Sequence, residues 1–129
     1  MPKECPFCSI LDSDVNNRVI AQNDLAFVIR DGYPINEGHT LIIPKRHTGS
    51  FFEITDEERN ALLSLLDSAK SILDKELKPN SYNIGINDGE AAGQTVPHLH
   101  MHLIPRYEGD TDDPRGGIRW IIPEKAKYW

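Results

Sequence analysis

No stretch of this chain approaches the roughly 18–20 apolar residues that a membrane-spanning helix requires. It has no internal repeat and no low-complexity segment. Two cysteines are too few for a disulfide scaffold, and the opening Met-Pro-Lys-Glu-Cys lacks the apolar core of a secretory signal. Positive charge is also short: 14 Lys and Arg against 20 Asp and Glu leave a formal net charge of −6. Nonspecific duplex binding rests on cations that neutralise phosphates, so neither nucleic acid nor a membrane is an expected partner. A small phosphate-bearing ligand stays compatible with the acidic balance, because one site needs only a few donors. These absences lead to the expectation of a cytoplasmic protein. With 129 residues, 39% of them hydrophobic, residues 1–129 read as a single domain with one core and a charged, breaker-rich tail from about residue 106.

What the chain does have is concentrated between Gln94 and Ile104. His98, His100 and His102 recur at every second position, with Leu99, Met101 and Leu103 between and after them. Alternation of period two predicts a strand with the three imidazoles on one face and the apolar residues on the other. Same-face neighbours on a strand lie about 6.5–7 Å apart. A core strand would carry Val or Ile at these positions, since buried imidazoles need partners. The row therefore reads as a chemical one. Against it stand three histidines on a merely solvated face, or a row that itself binds a catalytic metal, for which the motif lacks a carboxylate ligand.

The rest of the chain is punctuated clearly. Residues 5–12 read as a short helical turn, 18–21 and 25–29 as strands joined at Gln22-Asn23-Asp24, and 39–44 as a β-rich run ending at a proline. Thr55-Asp56-Glu57-Glu58 is a capping box that opens one long helix to about Leu77, with Leu62, Leu65, Leu66, Ala69 and Leu73 as its apolar stripe. Residues 81–87 form a further strand, whose expected partner is the histidine strand. The prediction is an α+β domain, an antiparallel five-stranded sheet with one long helix and a short N-terminal helix.

The sequence His98-Leu99-His100-Met101-His102-Leu103-Ile104, with Gly93-Gln94-Thr95-Val96 before it and Asp31 eight residues ahead of His39, resembles the histidine triad (HIT) family of nucleotide hydrolases and transferases. That resemblance implies a HIT fold whose sheet continues across a homodimer. It implies His100 as the nucleophile of a nucleotidyl-histidine intermediate, with His102 near the α-phosphate and leaving group. Related transferases commonly carry Gln at the last triad position, so His102 favours hydrolysis. The same resemblance assigns Gly93, Gln94, Thr95 and Val96 to the phosphate, Asn87 to the phosphate or leaving group, and Asp31 to the ribose hydroxyls. His39 either orients a triad imidazole or lines the site. Phe7, Ile10 and Ile29 match the apolar base slot, suited to a purine, and are equally good core residues. The implied activity is release of a nucleoside monophosphate from a dinucleoside polyphosphate or related anhydride, with a purine phosphoramidase or a non-catalytic nucleotide-binding module as alternatives. No organic cofactor is expected.

Cys5-Pro6-Phe7-Cys8 has three readings. A redox motif would follow a strand and open a helix in a βαβ unit, which only four preceding residues do not allow. A disulfide is unusual in the cytoplasm. The third is a structural zinc site, in which the two thiolates need two further ligands. By resemblance to the HIT proteins that carry this cysteine pair, those ligands are His47 and His98. In the tail, Arg115 and Arg119 either reach a polyphosphate or pair with nearby carboxylates, and Trp120, Tyr128 and Trp129 are expected to pack or to form an interface.

Overall fold

The computed structural model describes residues 4–129. In chain order the elements are α1 (Pro6–Asp12), β1 (Val19–Gln22), β2 (Ala26–Arg30), β3 (Thr40–Pro44), α2 (Asp56–Glu76), β4 (Ser81–Gly85) and β5 (Met101–Arg106), with short 3-10 turns in the connections and the tail. All strand pairs are antiparallel and the sheet runs β1-β2-β3-β5-β4. This is the α+β architecture that the sequence pattern predicts.

Helix α2 begins where the capping box places it. The Glu58 N–H donates to the Thr55 hydroxyl at 3.1 Å, and the Thr55 N–H donates to Glu58 Oε1 at 2.9 Å. Such a cap stabilises a helix by about 1 kcal/mol. Leu62, Leu65, Ala69 and Leu73 are buried on the helix face that meets the sheet, and Leu66 packs at its margin.

Both faces of the sheet are covered at β2 and β3. Ala26, Val28 and Ile42 pack with α2 and with Leu99, Met101 and Leu103. Phe27, Ile29, Leu41 and Ile43 pack on the opposite side with Cys5, Phe7 and Cys8 of the α1 region. Double-sided burial is why these two strands read as continuous apolar runs rather than alternating ones. Between them, Gly38 sits at φ 87° with α2 pressed against it; a Cβ there would lie 2.7 Å from Leu77 Cδ1 and 2.9 Å from Leu73 Cδ2. Only glycine combines that backbone conformation with so close an approach, and the next residue is His39.

One expectation needs correction. The histidine strand does not start at His98: β5 begins at Met101, and residues 98–100 lie outside the ladder. Pro97 has no N–H to give, and the Leu99 N–H donates to the Thr48 carbonyl at 2.7 Å instead of to a neighbouring strand. The alternation itself persists, with Leu99, Met101 and Leu103 buried on the α2 side and His100 and His102 half-buried on the other. The extent of β4 also differs: it ends at Gly85 rather than at Asn87.

Candidate active site and metal centre

Hydrogen-bond partners assign the proton position on each triad imidazole. His100 Nδ1 lies 2.9 Å from the His98 carbonyl oxygen, an acceptor only, so Nδ1 carries the proton and donates it. The neutral ring then presents its lone pair at Nε2. His102 has the opposite arrangement. Its Nδ1 lies 2.9 Å from His39 Nε2, and His39 Nδ1 already accepts the Ile35 N–H at 3.2 Å. The His39 proton is therefore on Nε2, where it donates to His102 Nδ1, and His102 carries its own proton on Nε2. Two adjacent imidazoles, with ring centroids 5.1 Å apart, thus offer a lone pair and an N–H.

Asp31 joins this chain. Its Oδ1 accepts the Tyr33 N–H at 2.8 Å, which is the turn-initiating role, while Oδ2 lies 3.4 Å from His39 Nε2. Burial lowers the pKa of His39, against the opposing pull of Asp31. Burial, reinforced by His100 and His39, pushes His102 down to about 4. At neutral pH His102 is consequently an uncharged hydrogen-bond donor, not the imidazolium that an unperturbed value near 6.5 would suggest. Asp31, His39 and His102 also stand within metal-ligating distance of one another. The proton assignment speaks against a metal there, because His39 Nε2, the atom facing the other two, is the protonated one.

The second cluster passes the same test. Cys5 Sγ and Cys8 Sγ lie 3.4 and 3.6 Å from His98 Nδ1, Cys8 Sγ lies 3.3 Å from His47 Nδ1, and the two Nδ1 atoms are 3.1 Å apart. Tetrahedral zinc, with Zn–S about 2.3 Å and Zn–N about 2.0–2.1 Å, places its ligand atoms about 3.3–3.8 Å from one another. His98 Nε2 donates to the Pro44 carbonyl at 2.8 Å, which leaves the Nδ1 lone pair turned to the thiols. Burial first, then the adjacent Cys5, pushes the Cys8 thiol up to about 11, so holding the Cys8 sulfur as a thiolate calls for a cation. Cys5, Cys8 and His98 are buried and His47 is half-buried. The residues fit a structural zinc ion.

The remaining sequence-derived residues sort unevenly. Gly93 and Thr95 are exposed in the loop before the histidines, and Val96 packs against the α1-side core. Asn87 is exposed and lines a groove of about 1270 Å³ together with His39, His102 and Trp120. Phe7 and Ile29 are buried in the α1-side core, with Ile10 packed on it. The Phe7 ring also lies 5.1 Å from that of His100, so core and candidate base slot are contiguous. Gln94 turns its side chain to backbone groups, described below. Arg115 pairs with Asp113 at 3.0 Å and stacks on Trp129, whereas Arg119 donates to the Lys125 and Ala126 carbonyls. Trp120 and Trp129 remain 41% exposed and Tyr128 74%. The contributions of Ile35, Pro44 and the His98 carbonyl were not legible in advance, since each acts through its backbone and any residue type offers the same group.

A short antiparallel sheet thus presents two such imidazoles beside a Cys2His2 cluster, the arrangement expected from the resemblance to the histidine-triad family. The HIT domain model matches residues 12–109, and the chain belongs to that family. An uncharacterised HIT-like protein of Methanocaldococcus jannaschii is 39% identical over 82% of this chain and 81% of its own. The adenosine 5'-monophosphoramidase of Schizosaccharomyces pombe is 32% identical over 95% of this chain and 90% of its own. An AP-4-A phosphorylase of Mycobacterium tuberculosis is 32% identical over 83% of this chain but 56% of its own. Among solved structures, a zinc-bound histidine triad protein of Mycobacterium smegmatis superposes with a TM-score of 0.76 at 34% identity, covering 85% of this chain and 80% of that one.

Proposed function

We propose that this protein is a nucleotide hydrolase that releases a nucleoside monophosphate from a phosphoanhydride, with dinucleoside polyphosphates as the substrate class, through nucleotidylated His100. The observation that carries the reading is the opposite proton placement on His100 and His102. His100 Nε2 attacks the α-phosphorus, a P–N bond forms and the P–O bond to the leaving group breaks. The leaving group departs as its anion while the His102 Nε2–H donates to the oxygen that gains charge. Water then adds its oxygen to phosphorus, the P–N bond breaks, and one water proton passes to solvent. His100 keeps its Nδ1 proton on the His98 carbonyl throughout.

In this proposal Asp31 receives the ribose hydroxyls, the Gly93–Thr95 segment faces the phosphate, and Asn87 faces the leaving group. Phe7, Ile10 and Ile29 flank a purine. The groove beside His102 and Asn87 offers room for a bulky leaving group. Zinc on Cys5, Cys8, His47 and His98 ties the N-terminus to the segment that carries the nucleophile and supplies no reacting group. The zinc-bound relative supports that assignment. Two copies pair through β4, which ends the sheet with exposed Ile84 and stands beside Ile118 and Ile121 of the tail. Among the described residues no helix is long and apolar enough to cross a membrane.

A purine nucleoside phosphoramidase is the second reading, favoured by near full-length similarity to the fission yeast enzyme. Intact-protein mass after brief quenching with diadenosine tetraphosphate or adenosine phosphoramidate tests both. One added nucleotidyl group on wild type, absent from His100→Ala, is the expected result, and the substrate with faster AMP release chooses between the readings. Equal AMP release by wild type and His100→Ala would discard the histidine nucleophile. Tight AMP binding without turnover would make the protein a binding module.

A further inference from the structure

The loop before the histidines is shaped by a neighbour. Gln94 Oε1 accepts the Gly89 N–H at 2.8 Å, while its Nε2 donates to the Gly49 carbonyl at 3.0 Å and the Val96 carbonyl at 3.1 Å. An amide nitrogen has two protons, and both are engaged. The Gln94 side chain therefore has no donor left for a phosphate, and the Gly93 and Gln94 N–H groups are engaged as well, on the Glu90 and Gly89 carbonyls at 3.0 and 3.1 Å, so exposed Thr95 carries the open donors of the segment. Asp88 makes a second tie: its Oδ2 accepts the Ser50 hydroxyl at 3.0 Å and the Phe51 N–H at 2.9 Å. A third is the Leu99 N–H on the Thr48 carbonyl. Residues 48–51, which begin immediately after the metal-ligand candidate His47, thus meet the segment 88–99 along its whole length.

From this arrangement we propose that Gln94 and Asp88 are positioning residues that register the Gly93–Thr95 backbone on the 48–51 loop, so that recognition of the phosphate, and not of the nucleoside, depends on them. The proposal rests on the reading of residues 93–95 as the phosphate-facing segment. Neither side chain touches substrate. Gln94 closes its own loop on both sides through Gly89 and Val96 and anchors it through Gly49; Asp88 pins the loop's first turn. Gly93 is exposed, in the left-handed region at φ 94° with open space where a Cβ would stand, and its N–H bonds only inside its own turn, to the Glu90 carbonyl at 3.0 Å, so other contacts must set that turn against the 48–51 loop. The anchoring hydrogen bonds carry that task. The proposed base and ribose positions lie toward Phe7 and Asp31, neither of which is a hydrogen-bond partner of Gln94 or Asp88; Val96, which packs on the α1-side core, is the one link between the two regions through these side chains.

The test compares AMP with adenosine, titrated into wild type, Gln94→Leu, Asp88→Ala and Asp88→Asn and followed by amide chemical shifts, with the thermal midpoint recorded for each. Gln94→Leu and Asp88→Ala are expected to bind AMP about tenfold more weakly than wild type while adenosine affinity stays within twofold. Asp88→Asn keeps an acceptor oxygen and is expected to retain AMP affinity, a rescue that separates hydrogen bonding from charge. Should Gln94→Leu fail to fold, the Asp88 pair makes the same comparison alone. Equal weakening of both ligands in step with a lowered midpoint would show a merely structural role and overturn the proposal, as would unchanged AMP affinity in the folded variants. If wild type binds neither ligand, the nucleotide reading itself falls and takes this role with it; if wild type binds both and the variants do not discriminate, only the positioning role falls.

Discussion

Replacing Glu58 by Gln is expected to remove about 2 kcal/mol of stability at neutral pH, and to do so only above the range in which the carboxyl is protonated. Glu58 is buried at the start of α2, 5% exposed, with Arg46 Nε and Nη2 donating to it at 3.0 and 2.8 Å. Those charge-assisted bonds, with the Thr55 N–H and against the cost of burial, hold its pKa at about 2 rather than 4.5. A depression of that size corresponds to roughly 3 kcal/mol at about 1.4 kcal/mol per unit. The Arg46 side chain is 53% exposed, so solvent screening reduces the figure to about 2 kcal/mol. Because the folded-state value is the lower one, the contribution is complete above the unfolded value near 4.5 and fades as pH falls towards 2. Urea unfolding of wild type and Glu58→Gln at pH 7, 5, 3.5 and 2.5 reads it directly; any proton-linked metal loss affects both proteins and cancels in the difference. The difference should be constant between pH 7 and 5 and shrink below 4.5. A difference under 0.5 kcal/mol at pH 7, or one that stays the same at pH 2.5, would refute the assignment of this stability to a buried ion pair.

The other expectations concern packing, strain, metal and proton placement. Leu73→Ala removes a fully buried side chain from the α2 stripe and should cost about 2–5 kcal/mol in denaturant unfolding. Gly38→Ala forces a Cβ into Leu77 and Leu73 at a positive φ, and should cost at least about 1–3 kcal/mol while displacing the His39 amide signal in an NMR spectrum. Cys8→Ser should lower zinc content by elemental analysis and depress the thermal midpoint, and chelation of wild type should act slowly through stability rather than at once on turnover. His39→Ala leaves His102 Nδ1 without its donor and should reduce kcat about 100-fold with a smaller change in KM, measured by AMP release.

Side-chain periodicity and caps were legible in the sequence because they report local geometry. The Thr55 box and the α2 stripe follow from spacing, the five strands from apolar runs and alternation bounded by turn residues, with β4 and β5 shorter than expected, and the triad signature with Asp31 and His39 marked the candidate site. The Cys5-Cys8 pair gained its partners only by resemblance, and the structure brings His47 and His98 to it across 39 to 93 residues of chain. Backbone acceptors resisted prediction. Nothing in the identity of Pro44 or Thr48 says that its carbonyl will fix an imidazole or delay the start of a strand. Gln94 shows the same limit from the other side: its type suits phosphate recognition, and only its three partners show that it is already engaged. His102 was legible as a neighbour of the candidate nucleophile, but its neutrality depends on burial and two adjacent imidazoles brought together by tertiary structure.

The place of β5 has a consequence for how the protein comes into being. It is the last strand to be synthesised, yet it occupies a central position in the sheet, between β3 and β4. Until it emerges from the ribosome, β4 has no neighbour to pair with and β3 lacks one of its two. Once synthesised, β5 completes the sheet by pairing with β3 through Thr40–Leu103, Leu41–His102 and Ile42–Met101 and with β4 on its other side. The same event delivers His98 to three donors that have been waiting since the first half of the chain. A nascent or truncated chain ending short of residue 98 thus holds most of its core residues and none of its triad, so the candidate site is completed only when the last quarter of the polypeptide begins to arrive.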